Sequence, residues 1–166
     1  KKLLIGLAIS PPKRGFEDIL KMTTEIGIDI IQPLISERQI KKISNQPLKM
    51  DRWYSIINES VEQSERLWRP ELYSFIDVND WINSLNKNDF VSISVTRSDN
   101  TIGLRKWISN KKIIKGKNFI IWNVIGPEGG RTKNEIEKFR NLKMQFIKLS
   151  DNILRTSTAA INTVSV

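Results

Sequence analysis

Ile125-Gly126-Pro127-Glu128-Gly129-Gly130 is the stretch of this sequence best suited to holding a ligand. It ends the most continuously apolar run of the chain, Asn118 to Ile125. It precedes Thr132 and Glu135, a T-x-x-E spacing that reads as the capping box of a helix. Glycines let a backbone approach a bound molecule closely and adopt positive φ. In an open α/β sheet, ligands bind at the carboxyl ends of strands. The spacing fits neither the dinucleotide-binding glycine pattern nor the Walker loop, so an ordinary dinucleotide or nucleoside triphosphate site is not indicated. On local pattern alone, a tight strand-to-helix turn stiffened by Pro127 remains the plainer alternative.

A second stretch, Leu149-Ser150-Asp151-Asn152-Ile153-Leu154-Arg155-Thr156-Ser157-Thr158-Ala159-Ala160, leads from the last strand into the last helix. The residues that are missing narrow the chemistry as much as those present. The sequence has no cysteine, which excludes disulfides, thiolate catalysis and Cys-based metal sites. It has no histidine, which removes the commonest metal ligand and the usual base at neutral pH. No clustered carboxylate motif supports Mg²⁺, so no metal is expected. The formal charge of +9 points to an anionic partner, most often nucleic acid, with an inert basic surface as the alternative.

The elements that must carry these stretches alternate between strand and helix. Leu3 to Ile9 reads as a buried strand closed by Ser10-Pro11-Pro12. A helix follows from about Gly15 to Ile26, with Phe16, Ile19, Leu20 and Thr23 on one face and Gly27 suited to its C′ position. Ile28 to Ile35 is a second apolar strand, and Ser36 to Met50 a basic excursion. A long helix is expected from Asp51 to Trp68, burying Trp53, Ile56, Ile57, Val61 and Leu67-Trp68. Beyond Pro70 come strands at Glu71–Phe75, Phe90–Val95, Asn118–Ile125 and Gln145–Leu149. Helices are expected at Val78–Leu85, Thr101–Asn110 and Thr132–Leu142, with a last one starting at Thr156. Continuous apolar strands imply a sheet covered on both faces, and βα alternation implies parallel strands. The fold class is therefore α/β, in one domain spanning 1–166. No apolar run reaches the roughly 18 residues of a membrane span, so a cytoplasmic location is the default.

Taken together, G-P-E-G-G and the downstream I-L-R-T-x-T-A resemble the small-subunit ribosomal RNA uridine-N(3)-methyltransferases, of the knotted SPOUT class. Thr24-Glu25-Ile26-Gly27 is similar to that family's T-E-L-G, and Ser36-Glu37-Arg38 to its S-E-R. Arg52-Trp53, Glu59, Glu62-Gln63-Ser64, Arg66 and Pro70 are similar to its long-helix pattern. Ser157 stands where the family has Glu and Met22 where Lys is common. Val95-Thr96-Arg97 lacks the acidic residue often found there.

The resemblance implies a parallel α/β sheet with a deep trefoil knot near the carboxyl end, and a homodimer with active sites at the subunit interface. It implies S-adenosylmethionine as cofactor, held by Ile125, Gly126, Gly129, Gly130, Leu149, Ile153 and Leu154. The implied substrate is a uridine of ribosomal RNA in the small ribosomal subunit, methylated at ring nitrogen 3. Arg155 is the residue expected nearest the transfer, and Arg14, Arg38 and Arg66 are candidates for RNA contact. For Arg155 the alternative is a helix-start arginine on a phosphate or carboxylate; for Arg14 and Arg66 it is an exposed salt bridge. Nothing in the sequence corresponds to the family's amino-terminal RNA-binding barrel. The chain also stops inside an apolar helical pattern, so a longer protein is expected. Ser157 keeps a non-enzymatic RNA-binding or ribosome-assembly module on the same fold as the competing function.

Overall fold

The computed structural model describes residues 3–38, 46–96, 98, 100–111 and 118–166, with 46–48 described by backbone alone. In chain order the elements are β1 (Leu3–Ile9), α1 (Phe16–Glu25), β2 (Ile30–Ile35), α2 (Gln46–Gln63), β3 (Glu71–Leu72), β4 (Ile76–Asp77) and α3 (Val78–Ser84). There follow β5 (Phe90–Ser94), β6 (Ile102–Gly103), α4 (Leu104–Ser109), β7 (Phe119–Ile125), α5 (Lys133–Asn141), β8 (Gln145–Lys148) and α6 (Thr156–Val164). Among the described residues the strands form one eight-stranded sheet in the order β3-β2-β1-β7-β5-β8-β6, with β4 also on β2. Every pairing is parallel, as expected from the βα alternation.

The long central strands β1 and β7 lie side by side in register from Leu3↔Phe119 to Ile9↔Ile125. Their side chains feed cores on both faces, which is why both read as continuous apolar runs. On one face, Leu7, Ile9 and Ile125 pack with Ile19 and Leu20 of α1, Trp53 and Ile57 of α2, and Ala160 and Val164 of α6. On the other, Ala8, Trp122 and Val124 pack with Trp81 of α3 and Phe139 of α5. A smaller cluster joins Leu104 and Trp107 of α4 to Ile121 and Ile147. Gly6 is paired with Trp122, and a Cβ there would lie 2.8 Å from Trp122 Cδ2. Glycine at position 6 is therefore what lets the indole lie across β1.

Several boundaries differ from the sequence reading. Helix α2 begins at Gln46, inside the segment expected to be an excursion, with Pro47 in its first turn, where its fixed φ and missing N–H cost nothing. It ends at Gln63 rather than Trp68. Glu65 takes φ 54, Arg66 N–H donates to Val61 O at 3.0 Å, and Glu65 N–H donates to Glu62 O at 3.2 Å. This is a Schellman stop without glycine. Beyond it Leu67 and Trp68 are 90% and 56% exposed, not core. The strand expected over Glu71–Phe75 divides into β3 and β4, with Gln32 Nε2 donating to Ser74 O between them at 2.7 Å. Thr101–Asn110 opens with the short strand β6 before α4.

Candidate functional site

Because the strands run parallel, β1, β7, β5 and β8 end along one edge of the sheet, at Ile9, Ile125, Ser94 and Lys148. Past that edge lies a cavity of about 910 Å³. Its walls come from four connections: 12–15 entering α1, 94–96 after β5, 126–131 after β7, and 149–157 between β8 and α6. The two stretches singled out in the sequence thus face each other across one space.

The loop after β7 is held by interactions that the sequence announced only in part. Gly130 adopts φ 73, and its N–H donates to Pro127 O at 2.8 Å, closing a turn that a side chain at 130 would strain. The expected capping box is present: Thr132 Oγ1 accepts from Glu135 N at 3.2 Å, and Glu135 Oε2 accepts from Thr132 N at 2.9 Å. Ser36-Glu37-Arg38 adds a second layer. The Thr132 hydroxyl donates to Glu37 Oε2 at 2.6 Å, Glu37 N–H donates to Glu135 Oε1 at 3.3 Å, and Arg38 Nη1 donates to Gly129 O. The segment after β2 therefore pins the 126–131 loop to the start of α5.

Ile125, Gly126, Gly130, Leu149, Ile153, Leu154, Arg155 and Arg14 all line the cavity. Ile125 is buried, whereas Ile153 is 63% exposed at the rim. Arg155 is exposed and occupies the N-cap position of α6 without capping it by its side chain. Gly129 and Arg38 lie instead on a neighbouring hollow of about 1020 Å³, which shares Arg14 and adds Lys13, Lys49 and Arg52. Arg52 itself forms a surface ion pair with Glu17 (Nη2–Oε2 2.8 Å), and this bond holds the Glu17 carboxyl below its ordinary range. Arg66 is elsewhere. Its Nη1 donates to Thr24 O at 2.7 Å and its Nη2 to Ile28 O at 3.0 Å, so it caps the carboxyl end of α1. Burial there lowers its pKa. This places Arg66 at the amino end of β2, across the sheet from the cavity. Lys41, Lys42 and Arg97 fall outside the described residues.

Sequence reasoning missed Arg131. Its Nε, Nη1 and Nη2 are buried and have no hydrogen-bond partner among the described residues, and its guanidinium stacks over Phe139 at 4.9 Å. Burial pushes its pKa down to about 10, so it is cationic at neutral pH. It lines the cavity beside Gly126, as do Asp18, Met22, Ser94 and Ser157. Among the described residues no group of three or more acidic side chains could hold a metal ion. No helix among them is long and apolar enough to cross a membrane.

Comparison with known proteins agrees with this architecture. A family model for the RNA methyltransferase domain matches residues 1–166. Ribosomal RNA small subunit methyltransferase E of Synechocystis sp. is 32% identical over 158 residues, covering 95% of this chain and 50% of that protein. Its namesake in Mesomycoplasma hyopneumoniae is 33% identical over 161 residues, covering 96% and 66%. The chain thus spans about half to two thirds of the length of these relatives. Among solved structures, the methyltransferase E of Neisseria gonorrhoeae, bound to S-adenosyl methionine, superposes with a TM-score of 0.81 at 26% identity, covering 98% of this chain and 64% of that one. A methyltransferase of Legionella pneumophila in complex with the same cofactor gives 0.82 at 27% identity, also covering 98% and 64%. With an all-parallel sheet, a cavity built by its two signature loops, and a family match along its whole length, the chain belongs to the RNA methyltransferase domain family.

Proposed function

We propose that this domain transfers a methyl group from S-adenosylmethionine to ring nitrogen 3 of a uridine in small-subunit ribosomal RNA. The observation that carries the proposal is the meeting of the 126–131 and 149–157 connections around one cavity at the strand ends. The residues fit such a cofactor. Ile125, Leu149 and Leu154 offer an apolar surface to an adenine. Gly126 leaves backbone accessible, Asp18 and Glu128 line the same space for a cationic sulfonium or ammonium, and Arg131 and Ser94 bring buried polar atoms that lack partners. The bound cofactor supplies an electrophilic methyl group; what remains for the protein is to prepare the nucleobase.

Nitrogen 3 of uracil carries a proton at neutral pH, so its lone pair is not free until that proton leaves. With no histidine or cysteine in the chain, two routes are open: a carboxylate base whose pKa burial has raised, or a fixed cation that stabilises the nucleobase anion, and the second is proposed. Arg155 is exposed at the cavity, where its planar fork can engage a carbonyl edge of the base. Arg14, on the rim shared with the neighbouring hollow, and Arg38, in that hollow, stand where RNA phosphates would pass.

The knot belongs to the same proposal. Strand β8 lies between β5 and β6, and both Ser94 and Ile102 pair with Ile147. The end of β5 and the start of β6 thus lie on either side of the carboxyl end of β8, from which 149–155 lead away, an arrangement that supports a knotted path. A homodimer is proposed as well, with the partner covering the exposed Ile153 at the cavity rim. Of the large aromatic residues a dimer could cover, Trp53 and Trp81 are already buried within the chain, whereas Trp68 is 56% exposed. The cytoplasm, where small ribosomal subunits are found, is the proposed location.

The test is transfer of labelled methyl from S-adenosylmethionine to small ribosomal subunits that lack the modification, followed by nucleoside analysis. Label in N3-methyluridine is expected. Cofactor binding without transfer to any RNA would favour the non-enzymatic reading.

A further inference from the structure

Arg131 is the one charged side chain of the cavity whose guanidinium is buried with all three nitrogens unpartnered. An isolated buried charge is costly, and a protein retains one where something supplies the counter-charge. Among the described residues, Arg131 finds only the face of Phe139 at 4.9 Å and the longer-range attraction of Glu135. The Glu135 carboxylate is already committed, to Thr132 N and Glu37 N. Ser94 Oγ, also buried and unpartnered, lines the same space. Both groups thus await acceptors that the described residues do not provide.

We propose that Arg131 is the anchor for a ligand carboxylate, the amino-acid end of S-adenosylmethionine if the cavity holds that cofactor; the inference rests on that reading. A carboxylate is favoured over a neutral acceptor because it both fills the bidentate fork and cancels the buried charge. The three nitrogens each expose less than 1 Å², so neighbouring side chains must shift to admit any acceptor; the amino-acid end of a small molecule needs far less room for this than a polynucleotide backbone, which disfavours an RNA phosphate. The cavity thereby separates its cations by depth: Arg155 and Arg14 are exposed and available to RNA, and Arg131 is available only to a molecule that enters.

The test is calorimetric titration of the wild-type protein and of Arg131→Met, each with S-adenosylmethionine and with decarboxylated S-adenosylmethionine, alongside thermal unfolding without ligand. The wild type is expected to prefer the intact cofactor at least about tenfold. Arg131→Met is expected to lose that preference, keep its affinity for the decarboxylated compound, and melt no lower than wild type, since an uncompensated charge has been removed. A wild type that binds both compounds equally overturns the proposal. So does an Arg131→Met variant that retains full affinity for S-adenosylmethionine, or one that weakens on both compounds alike. Those failures leave cofactor binding standing. Absence of any wild-type binding to S-adenosylmethionine would instead overturn the functional reading and this inference with it.

Discussion

Gly126 and Gly130 stand four residues apart in the same loop, yet substitution should act on them through different physics. At Gly130 there is room: the nearest atom to an added Cβ is Arg38 Nη1 at 3.9 Å. The penalty comes from φ 73, and placing an L side chain there costs about 1–2 kcal/mol. For a chain of this size that is a fall in Tm of roughly 2–8 °C for Gly130→Ala. At Gly126 no positive φ is involved. There the Cβ would lie 3.3 Å from both Cγ and Nε of Arg131 and 3.7 Å from its Cζ. Alanine asks the Arg131 side chain to give by a few tenths of an ångström, and Gly126→Val adds two more carbons that must displace Arg131, itself part of the cavity wall, further. Gly126→Val should therefore weaken S-adenosylmethionine at least about tenfold, roughly 1.4 kcal/mol, while Gly130→Ala mainly lowers Tm. Calorimetry and differential scanning fluorimetry on both variants separate the two effects. Wild-type affinity in Gly126→Val would refute the assignment of the loop as a ligand wall.

Other predictions follow from the same geometry. Gly6→Ala drives a methyl into Trp122 and should cost about 1–3 kcal/mol, read as a lower denaturant midpoint. Thr132→Ala removes both the cap of α5 and the hydroxyl bond to Glu37; a loss of about 1 kcal/mol is expected, with urea unfolding as the check. Arg155→Lys should slow single-turnover methyl transfer at least about tenfold with cofactor affinity preserved, and the wild-type rate should rise with pH toward the nucleobase pKa. Affinity for RNA should fall steeply with salt, by roughly 0.9 log units per log unit of salt for each duplex phosphate contacted.

Much of this architecture was legible because it depends on local pattern. The apolar run of β7, the T-x-x-E box and Gly27 each announce an element or its end within a few residues. Gly27 indeed closes α1 at φ 105, with Ile28 N–H on Thr23 O at 3.0 Å. Two other helix stops use the same hydrogen-bond pattern with Glu65 and Lys143 at φ 54, residues that carry no such signal, and so the end of α2 was overrun. Pro47 did offer a signal for the start of α2. Arg66 shows a different limit: its partners Thr24 and Ile28 lie 42 and 38 residues away, and no local pattern distinguishes a cap for another helix from a cation awaiting RNA. Arg131 was passed over because an arginine ahead of a helix N-cap is ordinarily solvated. Only the fold shows it turned back over Phe139 and sealed from water.

The central claim is that S-adenosylmethionine occupies the cavity at the carboxyl ends of β1, β5, β7 and β8. Amide hydrogen exchange of the purified chain with and without the cofactor tests this most directly. Slowed exchange is predicted over 126–131 and 149–157, with no change around Arg66 at the far edge of the sheet. Protection confined to the neighbouring hollow around Lys13, Lys49 and Arg52, or no protection at saturating cofactor, would contradict it.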